Sequence, residues 1–123
     1  MITQDGTKLY VKDWGHGRPV AMAHGWPLSA DSFADLSLAI ADAGMRAISC
    51  DRRGFGRSDQ PCTGYDYDTL ADDMAAVMEQ TGAQSATLLG FSMGGGEDAR
   101  YMSRHRGNQV KQAVLVSSVL PTC

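Results

Sequence analysis

The residues able to do chemistry are concentrated in one stretch, Gly90-Phe91-Ser92-Met93-Gly94-Gly95-Gly96. The apolar run Ala86-Thr87-Leu88-Leu89 leads into it, and Glu97-Asp98-Ala99-Arg100-Tyr101-Met102 can continue it as a helix. The pattern reads strand, sharp turn, helix, with a serine at the apex and glycine two residues to either side. A nucleophilic serine at the tip of such a turn sits in a strained backbone region. The two chain segments then pass close together, and side chains at Gly90 and Gly94 would collide. The helix behind Ser92 points free N–H groups and its positive dipole end at the place where an oxyanion would develop. The plain alternative is a glycine-rich turn that only joins a strand to a helix, so the surrounding segments must decide.

A second segment supports the chemical reading. His24-Gly25-Trp26-Pro27 follows the apolar run Pro19-Val20-Ala21-Met22-Ala23. After a strand, a His-Gly turn can aim a backbone N–H, here that of Trp26, at the same rim. The N–H of Met93 would be the second donor of an oxyanion hole. In this scheme the backbone acts, while His24 and Gly25 support it, His24 as a brace of its own loop. Asp51-Arg52-Arg53-Gly54-Phe55-Gly56-Arg57-Ser58 reads as an anion patch or as a loop held by Asp–Arg pairing and glycine turns, the second being preferred. No G-x-G-x-x-G follows the early strands and Gly90 to Gly96 lacks the lysine of a phosphate-binding loop, so a nucleotide site is rejected. Met74, Met78 and Met102 sit at helical spacing and read as core.

The elements that must position these residues follow from periodicity. Thr7 to Trp14 alternates, with Leu9 and Val11 on one face, and reads as a strand turned at Asp5-Gly6 from a very short first strand at Ile2-Thr3. Pro19 to Ala23 is continuously apolar, as in a strand covered on both faces. Ser29 or Asp31 can cap a helix whose apolar positions are Phe33, Leu36, Ile40 and Ala43, with Gly44 to stop it. Met45 to Cys50 is the next strand. Asp66 or Asp68 opens a second helix, with Leu70, Met74, Val77 and Met78 on one face and Gly82 after it. The strand through Leu89, the serine turn and a helix to about Arg104 come next. Val110 to Ser117 is a last strand, with Ala113-Val114-Leu115-Val116 as its buried centre. This alternation predicts an α/β fold with a mainly parallel sheet and helices on both faces. Ligands in such sheets bind beyond the carboxyl ends of the strands. His24, Asp51 and Ser92 all fall there, on one rim.

Composition narrows the class of function. The 123 residues are 43% hydrophobic and 20% charged, ordinary for a globular domain with a real core. A net charge of −3 gives no electrostatic case for nucleic acid or anionic membranes as partners. No apolar run approaches a membrane span, and the N-terminus carries no basic-then-apolar leader. Cys50, Cys62 and Cys123 have neither metal-ligand nor redox spacing. Free thiols in a reducing cytoplasm are expected, and no metal site.

The linked motifs resemble the α/β-hydrolase superfamily and, within it, the cofactor-free haloperoxidases and related serine esterases. The residues that carry the resemblance are His24-Gly25-Trp26-Pro27-Leu28-Ser29-Ala30-Asp31-Ser32, Asp51-Arg52-Arg53-Gly54-Phe55-Gly56-Arg57-Ser58 and Gly90-Phe91-Ser92-Met93-Gly94-Gly95-Gly96-Glu97, in matching order and separation. It implies that Ser92 is the nucleophile and that the N–H groups of Trp26 and Met93 form the oxyanion hole. It also implies small-molecule ester or carboxylate substrates handled through an acyl-serine intermediate. In the haloperoxidase branch hydrogen peroxide also resolves that intermediate, and the peracid formed oxidises halide. Neither a metal nor an organic cofactor is implied.

One departure qualifies this. The superfamily's triad runs serine, acid, histidine along the chain. After Ser92 the only acids are Glu97 and Asp98, and the only histidine is His105, thirteen positions on. That spacing places His105 roughly 20 Å along the helix, too far to take the serine proton. His16 and His24 precede the serine and match no triad position, so no triad acid or histidine is assigned. Residues 1–123 therefore read as the N-terminal portion of a single α/β-hydrolase domain, lacking the cap and the C-terminal strands and inactive alone. Ser92 without a base is a poor nucleophile at neutral pH. The strand Val110 to Ser117, internal in a full sheet, becomes an apolar edge. A second expectation follows, of a different class: a non-catalytic half-domain that self-associates or binds a partner through this edge.

Overall fold

In the computed structural model, which describes residues 1–3, 5–24, 30–61, 65–105 and 110–116, the alternation becomes five strands and three helices. The strands are β1 (Val11–Trp14), β2 (Pro19–Ala23), β3 (Arg46–Cys50), β4 (Ala86–Phe91) and β5 (Val110–Val116). The helices are α1 (Ala34–Asp42), entered through a 3₁₀ turn over Ala30–Phe33, α2 (Tyr67–Thr81) and α3 (Met93–Arg104). The sheet order is β1-β3-β2-β4-β5; β1 runs antiparallel to β3 and the other pairs are parallel. The chain thus steps from β2 to β3 on one side and returns to β4 on the other. That reversal opens a crevice at the carboxyl ends of β2 and β4.

The predicted helices on both faces follow from side-chain alternation in the strands. Val20, Met22 and Ala47 point to one face and pack with Phe33 and Ile40 beside α1. Ala21, Ala23, Ile48 and Leu88 point to the other, against Ala71, Met74, Val77 and Met78 of α2 and Tyr101 of α3. β2 is buried along its whole length, as its unbroken apolar run requires. In α2 the expected face is buried, the Asp66 carboxylate caps it by accepting from the Thr69 N–H at 3.0 Å, and Gly82 ends it at φ 68°.

Five expectations are corrected. The ladder of β1 starts at Val11; Thr7 to Tyr10 is held instead by single bonds, Leu9 N–H to the Met1 carbonyl and Tyr10 N–H to Ser58 Oγ. The short return at Asp5-Gly6 is reduced to one antiparallel bridge between Ile2 and Lys8. In α1, Phe33 takes the capping position without a side-chain bond, while the Asp31 carboxylate pairs with Lys12 and Arg57; Ser29 lies outside the described residues. The buried stripe here is Phe33, Ser37 and Ile40, at ordinary helical spacing, so that side of α1 faces the sheet and Leu36 is 40% exposed. The centre of β5 is not buried: Val114, Leu115 and Val116 are each more than 40% exposed, because among the described residues only β4 flanks this strand.

The cap of α2 gives a direct stability check. Asp66→Ala is expected to cost about 1 kcal/mol by leaving the first-turn N–H groups of α2 without an acceptor. Urea denaturation reads this, and an unchanged midpoint would refute the assignment.

Candidate active site

β4 and α3 are joined by the single residue Ser92, at φ 56° and ψ −116°. A non-glycine residue pays steric strain there unless its surroundings hold it in place. They do so through the backbone. The Ser92 N–H donates to the Val116 carbonyl at 2.9 Å, and its own carbonyl accepts from the Gly95 N–H at 3.0 Å. The flanking glycines are required by contact. A Cβ on Gly90 would lie 2.6 Å from the Gly94 carbonyl oxygen, the Gly95 nitrogen and Asp98 Oδ2. A Cβ on Gly94 would fall inside the Ala23 carbonyl at the end of β2. The serine turn is therefore wedged against the strand that leads into His24-Gly25-Trp26. Ser92 is half-buried, and Met93 opens α3, where first-turn N–H groups have no acceptor within the helix. Gly25 and Trp26, with the rest of 25–29, lie outside the described residues.

Both flanks of that segment are described, and both are tied to the loop after β3. The ring of His24 is buried; its Nε2 accepts the Arg52 backbone N–H at 2.9 Å, which puts the ring proton on Nδ1 and commits the Nε2 lone pair. The sequence predicts a ring that braces its own loop; it bonds the loop after β3 instead. Asp51, fully buried, accepts from the Ala30 N–H and the Arg57 N–H, each at 2.8 Å. The Arg52 guanidinium donates to the His24 carbonyl at 2.5 Å and to Glu97 on α3 at 3.1 Å. Arg53, also buried, pairs with Asp73 on α2 and with Asp5. The loop is thus held by Asp–Arg pairing, but most of it reaches across the fold; Asp51 with Arg57 is the pair internal to the loop. These guanidinium groups are already matched by carboxylates, which argues against an anion patch. Sequence spacing suggested the pairing and could not show that it spans three segments.

Glu97 is buried and paired with Arg52; burial raises its carboxyl while the Arg52 charge opposes the rise. His105 sits at the far end of α3, its Nε2 2.8 Å from Asp72 and its ring stacked on Tyr101. Cys50 is a free thiol pushed up to about 12, by burial first and the Glu97 charge second, which keeps it protonated and unreactive at neutral pH. Cys62 and Cys123 lie outside the described residues. Asp98 is fully buried beneath the turn, and neither of its oxygens has a hydrogen-bond partner. Burial, then the Glu97 charge, holds its carboxyl well above the ordinary value, with Arg52 opposing.

Two outcomes follow. Gly94→Ala is expected to destabilise the chain by about 2 kcal/mol or more, since the clash is with backbone, and thermal unfolding at a wild-type temperature would contradict it. Because the Asp98 carboxyl is raised in the folded state above its unfolded value, its contribution to stability is fully present below about pH 4 and is lost as pH rises through the raised value. Asp98→Val removes the unpartnered carboxyl at similar volume and is expected to gain about 1–3 kcal/mol at pH 7. That gain shrinks toward pH 4, and parallel stability–pH curves for the two proteins would exclude this account.

Comparison with known proteins agrees with the geometry. Residues 18–123 match the family model of the alpha/beta hydrolase fold. A non-heme chloroperoxidase from Streptomyces lividans is 51% identical over 123 residues, covering 98% of this chain and 45% of that protein. A bifunctional esterase/perhydrolase from Acinetobacter calcoaceticus is 46% identical, again covering 98% of this chain and 45% of the relative. The structure of an esterase from Exiguobacterium antarcticum superposes with a TM-score of 0.91 at 43% identity, over 96% of this chain and 46% of that one. The chain spans a little under half the length of these relatives. With a mostly parallel sheet in the order β1-β3-β2-β4-β5, a strained serine between β4 and α3 and a family match over most of its length, this chain belongs to the alpha/beta hydrolase fold family.

Proposed function

We propose that residues 1–123 carry the nucleophile side of a serine hydrolase acting on small carboxylic esters. The observation behind this is Ser92 at positive φ between β4 and α3, with Gly90 and Gly94 allowing no side chain. Ser92 Oγ attacks the ester carbonyl, the oxyanion is met by the N–H groups of Met93 and Trp26, the alcohol leaves, and water cleaves the acyl-serine. No acid or histidine among the described residues takes the Ser92 proton: His24 and Glu97 bond Arg52, and His105 bonds Asp72. In this reading the base and its acid come from polypeptide outside residues 1–123, and the chain alone is inactive. Perhydrolysis is a second activity of the same site, favoured by the esterase/perhydrolase and chloroperoxidase relatives. There hydrogen peroxide replaces water, and the resulting peracid oxidises halide. The reading includes a cytoplasmic setting and needs no metal or organic cofactor; no described helix is long and apolar enough to cross a membrane.

The alternative is a half-domain that self-associates or binds a partner along β5, favoured by the exposure of Val114, Leu115 and Val116 on a strand whose outer edge has no described neighbour.

Hydrolysis of p-nitrophenyl acetate separates these. The chain alone is expected at background. Mixed with a polypeptide matching the remaining portion of the Streptomyces lividans relative, it is expected to turn over, and Ser92→Ala to lower that turnover by about 10⁴-fold or more. Turnover that survives Ser92→Ala rejects the nucleophile, and turnover by the chain alone that Ser92→Ala removes rejects the outside base. A mixture without turnover, together with a dimer in sedimentation, favours the edge-binding alternative. Bromination of monochlorodimedone on adding peroxide and bromide reads the second activity.

A further inference from the structure

Ser92 ties a strained stretch of backbone to the most exposed strand of the sheet. At φ 56° and ψ −116° it holds a conformation that persists only where the surroundings over-determine it. Two backbone bonds contribute. Its carbonyl accepts from the Gly95 N–H at 3.0 Å, a bond within the first turn of α3. Its N–H donates to the Val116 carbonyl at 2.9 Å, on a different strand. Phe91 is paired with Val116, so this second bond extends the β4–β5 ladder one residue past β4 and into the turn. Support for β5 is thin. Among the described residues only β4 flanks it, and Lys111 to Val116 are all exposed, whereas β2 is buried throughout. Segments with so little buried surface open locally while the rest of a fold stays closed.

We propose that β5 is a strap on the serine turn: Ser92 keeps its positive-φ conformation while the Val116 carbonyl is docked on its N–H, and relaxes when β5 opens. The coupling is mutual, because linkage between two sites is reciprocal. Strain at Ser92 therefore loosens β5, and loss of β5 frees Ser92. For catalysis, which rests on the reading of Ser92 as nucleophile given above, the open strap is the inactive state. The competing account is that Gly94, wedged on the Ala23 carbonyl, fixes Ser92 unaided. That contact lies on the β2 side of β4 and acts two residues further on, in the first turn of α3, whereas the Ser92 N–H bonds to β5. With β5 away that N–H has lost its acceptor, and nothing on the β5 side opposes a return to ordinary φ.

Native-state hydrogen exchange, followed by NMR on the isotope-labelled chain of 123 residues, tests this with no turnover needed. Its failure is therefore distinct from failure of the nucleophile reading, which the Ser92→Ala assay decides. Val114→Gly weakens β5 at an exposed position two residues short of Val116. The Ser92 N–H is expected to exchange about tenfold faster, in step with the β5 amides that bond β4, while Val77 and Met78 in α2 keep their wild-type rates. Ser92→Gly removes the strain, since glycine takes positive φ readily, and is expected to slow the same β5 amides by about threefold; it carries the test should Val114→Gly not fold. A Ser92 amide that keeps its rate while β5 exchanges faster overturns the proposal, because the wedge at Gly94 then suffices. A rise shared equally by α2 is unfolding of the whole chain and overturns it too, as do β5 amides that do not slow in Ser92→Gly.

Discussion

The structure turns on one close approach, that of the Gly94 backbone to the Ala23 carbonyl. β2 and β4 are neighbours in register, with Ala23 opposite Gly90, so the turn leaving β4 lies against the end of β2. With any larger residue at Gly94 the two would part and α3 would start elsewhere. Beside that contact Ser92 sits at positive φ, its N–H donating to the Val116 carbonyl and its carbonyl accepting from the Gly95 N–H. The same contact brings the start of α3 beside the exit of β2.

Beneath this rim lies a polar layer rather than an apolar one. Asp51, Arg52, Arg53, Asp73, Glu97 and Asp98 are buried close to one another. Isolated charges at such depth would be prohibitive, and all but Asp98 have partners: Arg52 with Glu97, Arg53 with Asp73, Asp51 with two backbone N–H groups and Arg57. Most of these bonds cross between segments distant in sequence, so the layer locks the loop after β3 to α2, α3 and the exit of β2 at once. Asp98 breaks the rule: its carboxyl has no hydrogen-bond partner, and burial raises it well above the ordinary value, which favours the neutral form and lessens the penalty.

The periphery is built differently. α1 exposes Leu36 and Leu38, and β5 exposes apolar side chains along its last three residues. These surfaces lie away from the β2–β4 centre, where burial is far more complete. Cohesion is therefore graded across the sheet, strongest under the serine turn and weakest at the β5 edge.

Much of this was legible in the sequence. The unbroken run Pro19–Ala23 specified a strand covered twice, Gly82 and the pair Asp66 and Asp68 marked the ends of α2, the structure choosing Asp66 as the cap, and Gly90-Phe91-Ser92-Met93-Gly94 specified strand, turn and helix start, because local backbone sterics and short-range hydrogen bonds decide such features. The site was legible to the same extent: one serine, two glycines and a helix N-terminus lie within a few residues of each other. Tertiary structure alone decided the rest. Whether Leu36 is buried depended on which side of α1 faces the sheet, and whether Val114 to Val116 are buried depended on having a neighbour beyond β5. The partners of Arg52 were likewise out of reach of spacing rules, since His24 and Glu97 lie 28 and 45 positions away and meet it only when three strand ends share one rim. Local chemistry is written in neighbouring residues; the pairing of buried charges is set by which distant segments the sheet brings together.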